Sequence, residues 1–107
     1  MTTFDKREEG FEKKFALDEE QKFKAEARRN KLLGLWAAEK LGLTGDAATA
    51  YSKEVVAADF EEAGDKDVQD KVMKDFAAKG LAVTAAEVRV KMDELMATAA
   101  LQVKAGT

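Results

Sequence analysis

The chain has 107 residues, 46% of them hydrophobic and 36% charged, with a formal net charge of −3, which suits one domain with a single modest core. It contains no cysteine, histidine or proline. This removes disulfides, thiolate and imidazole chemistry and zinc fingers, while the acidic balance speaks against a nucleic-acid partner. No apolar run approaches the ~20 residues that a bilayer span requires. The opening Met1-Thr2-Thr3-Phe4-Asp5 leads into charge rather than into a signal peptide, so a cytoplasmic protein with no direct membrane insertion is expected.

Residues 1–31 carry nine Lys or Arg against eight Asp or Glu, whereas the remainder carries nine against thirteen. The first third is dense in charge yet nearly neutral. Within residues 1–20 the only large apolar side chains are Phe4, Phe11, Phe15 and Leu17. At 100° per residue, Phe11 and Phe15 each fall within about 20° of Phe4, so the three rings form one narrow stripe on a helix. Three rings bury too little to offset the ordering of such a segment at roughly 1–2 kcal/mol per residue. The expectation is an arm over residues 1–19, largely disordered when free, that becomes helical when a partner groove accepts its Phe face. The other reading, in which the same helix packs back on its own domain, is equally open on spacing alone. The cluster Asp18-Glu19-Glu20 breaks the stripe, and Phe23 lies about 80° off it.

Four helices are predicted after the arm, at about 20–41, 45–62, 66–79 and 85–104, within a domain spanning 20–105. Proline being absent, the breaks fall at Gly42, Gly64 and Gly80, each where a helix C-cap belongs. In the first helix, Lys24, Arg28, Arg29 and Lys31 make a basic patch beside Phe23, interrupted by Glu26. A solvated face is the first reading and contact with an acidic protein the second. Leu32 to Leu41 is apolar nearly all round, which marks a central element with Trp36 at a core position.

The second helix places Tyr51, Val55 and Ala58 at helical spacing, with Val56 and Phe60 beside them. The third spaces Val68, Val72 and Phe76 four apart, behind Asp65 and Asp67 at its start. The acidic run Asp59, Glu61, Glu62, Asp65, Asp67 and Asp70 lacks the central glycine and distal glutamate of a calcium loop, so helix capping and a solvated surface account for it. The fourth opens on Thr84-Ala85-Ala86-Glu87, a capping box, and continues with the seam Val88, Met92, Leu95 and Ala99. Nothing alternates with period two. The fold class is all-α, a four-helix bundle with a mobile N-terminal arm. With no phosphate-cradling glycine loop and no nucleophile–base pair, neither an enzyme nor a cofactor or metal site is expected.

The run FKAEARRNKLLGLWAAEKLGL over residues 23–43 closely resembles the signature of the ζ subunit family, inhibitors of the F-type ATP synthase in alphaproteobacteria. Asp5-Lys6-Arg7-Glu8 and Phe11-Glu12-Lys13-Lys14-Phe15-Ala16 are similar to the family's inhibitory segment. Ala50-Tyr51, residues 55–62 and Gly64-Asp65 are similar to its second helix and following turn. The resemblance implies an arm that enters the catalytic head between catalytic and non-catalytic subunits, beside the rotor, and blocks rotation in the hydrolytic direction. The Phe4, Phe11 and Phe15 stripe would be its buried face, Leu17 would also contact the partner, and Lys6, Arg7, Glu8, Glu12, Lys13 and Lys14 would make its rim. Lys24, Arg28 and Arg29 would make a secondary contact, and the free protein would be a monomer. From another class comes the reading of a non-enzymatic helical adaptor whose arm docks on some other protein. Gly10 departs from expectation, since a better helix former there would strengthen a bound helix by up to ~1 kcal/mol.

Overall fold

The computed structural model describes residues 17–58 and 66–106, and among them all regular structure is helical. Four helices follow in order: α1 (Glu19–Lys40), α2 (Gly45–Ala58), α3 (Lys66–Ala78) and α4 (Ala85–Lys104). The arm residues Phe4, Lys6, Arg7, Glu8, Phe11, Glu12, Lys13, Lys14 and Phe15 lie outside the described residues. So do Asp59, Phe60, Glu61, Glu62, Gly64 and Asp65, and with them the 59–62 extension expected of the second helix.

The helix ends follow from local chemistry. Asp18, extended at ψ 175, starts α1 with a reciprocal box: its carboxylate accepts from the Gln21 N–H at 2.7 Å, and its own N–H donates to Gln21 Oε1 at 3.2 Å. At the other end Gly42 adopts φ 79. There its N–H reaches the Glu39 carbonyl at 3.1 Å, while the Leu43 N–H reaches that of Ala38 at 2.8 Å, which satisfies two otherwise orphaned carbonyls. α3 closes the same way: Gly80 bonds to Ala77 and Leu81 to Phe76, at 3.0 and 2.9 Å. At the start of α4 the Glu87 N–H donates to Thr84 Oγ1 at 3.1 Å, but the Glu87 carboxylate does not return the bond. Only half of the expected box forms, which suffices because one capped amide already fixes the first turn.

α1 is the central element, packed on α2 and α4 along much of its length and on α3 more briefly. The core gathers Leu33, Ala37, Ala38 and Leu41 of α1 and its C-cap with Tyr51, Val55, Val68, Val72, Phe76, Val88 and Met92. These include the 68/72/76 and 88/92 positions that the sequence spacing marks. Small residues let α2 come close. A Cβ added at Gly34 would stand 2.6 Å from Ser52 Cα and 2.9 Å from its Cβ, nearer than two packed helices allow.

Trp36 is a correction to the expectation of a core position. It is half-buried at the rim, edge-on to Phe76 at 5.8 Å and 81°. Lys40 and Lys91 lie 5.2 and 5.9 Å from its ring centre, where two cations meet the negative face of the indole. Leu35 also stays exposed, at 38%. α2 and α4 cover the flanks of α1 and leave its outer side to solvent, so an apolar run does not become a wholly enclosed helix.

A polar clasp joins α2 to α3. Tyr51 donates its hydroxyl to Asp75 Oδ2 at 2.7 Å, and the Lys71 ammonium lies 2.9 Å from Asp75 and 3.4 Å from Glu54. Burial, then the Asp75 carboxylate, push the Tyr51 phenol well above its ordinary value. Burial alone would lower Lys71, but its bonds and charge attraction to Asp75 and Glu54 outweigh that and raise it.

Candidate functional site

Of the arm positions marked in the sequence, only Leu17 is described. It is half-buried and stands directly before the Asp18 cap. The chain therefore passes from extended to helical geometry at Asp18, close to the boundary expected between arm and bundle.

Beyond the cap, the first half of α1 presents a charged outer side. α1 and α4 run antiparallel, as Arg28 bonding Gln102 at one end and Trp36 meeting Lys91 at the other require. Between them, Gln21, Lys24, Arg28 and Lys31 of α1 line an open groove of about 440 Å³ with Val103 and Gly106 at the end of α4. The negative end of the α4 dipole lies on this side, which favours cations there. Lys24 is solvent-exposed and lies 3.2 Å from Glu20, one turn back. Arg28 donates from Nη1 to Gln102 Oε1 at 3.4 Å.

Arg29 does not belong to this face. It is only 6% exposed, and its Nε donates to Asn30 Oδ1 at 3.0 Å, with Asn30 itself fully buried. One step along a helix is about 100°, so adjacent arginines cannot share a face. A signal for this was present in the sequence. Arg29 lies four residues after Ala25 and four before Leu33, and both of those are buried. Asn30 Nδ2 has no hydrogen-bond partner, an uncompensated polar group in the same layer. Leu35 belongs to the outer surface at 38% exposed, with no local sequence signal to set it apart from its buried apolar neighbours. Phe23 is 63% exposed, a large ring held in water where packing gives it nothing.

No group of three potential metal ligands occurs among the described residues. No described helix is long and apolar enough to cross a membrane.

A capped four-helix bundle, a densely charged segment ahead of it and a cationic outer side on its first helix are what comparison with known proteins has to explain. The family model of ATPase inhibitor subunit zeta matches residues 1–102. The chain belongs to that family. It is a relative of ATPase inhibitor subunits, as the run over residues 23–43 implied, and the match takes in the N-terminal segment and the helices as far as residue 102. A protein solved by solution NMR is similar as well, at 56% identity and a TM-score of 0.69, over 79% of this chain and 96% of that one. Among curated proteins none matches.

Proposed function

We propose that the protein inhibits ATP hydrolysis by the F-type ATP synthase, inserting residues 1–19 at a catalytic interface of the head beside the rotor. The observation that carries this reading is the family match running from residue 1 to residue 102. It includes the segment in which Phe4, Phe11 and Phe15 would share one stripe if it became helical.

The mechanism is steric. The arm orders as it binds, the three rings enter an apolar groove, and Leu17 contacts the partner beside them. Lys6, Arg7, Glu8, Glu12, Lys13 and Lys14 lie around the rim, where charge pairs fix orientation and partner choice more than affinity. Binding free energy is thereby placed where a moving rotor has to pass. The bundle holds the arm at the site and takes no part in bond making, so the protein is an inhibitor and not an enzyme. Its partners are the catalytic, non-catalytic and rotor subunits of the head, and it meets the membrane only through that assembly.

The test compares ATP hydrolysis by isolated catalytic heads given the full chain or a chain beginning at Leu17, which keeps the Asp18 cap. The full chain inhibits and the shortened one does not. Inhibition by neither defeats the reading and favours a helical adaptor for some other protein. Equal inhibition by both moves the active segment into the bundle.

A further inference from the structure

The outer side of α1 has the composition of a contact surface. At 100° per residue, Lys24, Arg28, Lys31 and Leu35 fall within about 60° of one another, and Phe23 flanks them. Three cations and one anion, Glu20, therefore share a stretch of about four helical turns with two large exposed apolar side chains. Lys31 is exposed and forms no ion pair among the described residues. Arg28 is braced against Gln102 of α4, so its guanidinium is held in place at the groove rather than left to roam. In a chain of net charge −3, a local positive face is not what average composition provides. Apolar anchors set beside fixed cations are what protein interfaces use, aromatic and Arg side chains above all.

We infer that this face, Phe23, Lys24, Arg28, Lys31 and Leu35, docks on an acidic protein surface at the rim of the groove that takes the arm. The inference rests on the proposed function, and continuity decides the partner. α1 begins at Glu19, two residues beyond Leu17, so whatever encloses the arm has its outer edge against the first turns of α1. Arg29, turned into the bundle, takes no part. The face steers and orients the protein as it arrives, and the arm then supplies the block.

The test uses the full chain and the double variant Lys24→Glu, Lys31→Glu, both positions being solvent-exposed. Association with isolated catalytic heads is followed at low and at raised salt, together with inhibition at saturating protein and the helical circular dichroism signal of each chain. The expected result is roughly tenfold weaker binding at low salt, mostly through slower association. The gap should narrow as salt screens the contact, with full inhibition at saturation because the arm is intact. A second variant, Phe23→Ser, should weaken binding at both salt concentrations. Equal affinity of the charge variant and the unaltered chain overturns the inference while leaving the inhibitory reading in place. So does a variant that loses binding of inorganic tripolyphosphate but keeps its affinity for the head, since the cations would then serve a small polyanion. Failure of the unaltered chain to bind heads overturns both.

Discussion

The two halves of α1 are one continuous helix held in different ways. From Leu33 onward it buries Leu33, Gly34, Ala37 and Ala38, small or apolar residues that let α2 approach until Gly34 sits against Ser52. Before that point the buried residues are Ala25, Arg29 and Asn30, a polar layer with one amide left unsatisfied, while Phe23 stands out in water. Close apolar packing makes a helix stable. A polar buried layer beneath an exposed ring makes a less stable element, with surface left over for another molecule. The second half is held by close packing, and the first half, next to the N-terminal segment, keeps exposed charge and an exposed ring.

Changes in the second half should therefore cost most. Phe76, fully buried and edge-on to Trp36, should lose about 3–5 kcal/mol on replacement by Ala, read from urea unfolding. Gly34→Ala should come next. Its new methyl meets backbone at 2.6 Å, so overpacking of about 1–3 kcal/mol outweighs the helix-propensity gain of up to ~1 kcal/mol. A stabilised Gly34→Ala would show that α2 can slide away freely and that the second half is no tighter than the first.

In the first half, Asp18→Ala removes the bond that the carboxylate accepts from the Gln21 N–H and should cost about 1 kcal/mol. Amide exchange should then quicken in the first turns of α1 and stay unchanged beyond Leu33. Uniform acceleration would mean that the two halves open together.

The smallest expected effect lies outside α1 and serves as its control. Tyr51 and Lys71 are both raised above their ordinary values near 10 and 10.5. A raised folded value means stabilisation that is complete below the unfolded value and lost as pH climbs above it. Unfolding free energy should hold steady through neutral pH and decline above about 10. Tyr51→Phe should lower stability by about 1 kcal/mol at pH 7 and flatten that alkaline decline.

The buried stripes and helix ends were legible in the sequence, and contacts between residues far apart in the chain were not. Val68, Val72 and Phe76 announced a buried stripe by their spacing, and Gly42 and Gly80 announced helix ends because only glycine enters the left-handed region without cost. Arg29 was misplaced because charge suggests water, whereas its direction is set by the turn that also carries Ala25 and Leu33. Nothing local marks Gly34, since a close approach between helices depends on a partner far along the chain. The Asp18–Gln21 box lies in the acidic cluster that breaks the Phe stripe, and that reading gave the cluster no capping role. The Tyr51–Asp75 bond spans 24 residues, beyond any local pattern.

The most direct test of the account is the inhibition of ATP hydrolysis by catalytic heads with Phe11→Asp, measured beside the unfolding curve of the same protein. A charge placed in the apolar stripe of the arm should abolish inhibition and leave the unfolding midpoint of the bundle unchanged. Inhibition that survives the change, or a bundle that loses stability with it, would contradict an arm made for a partner's groove.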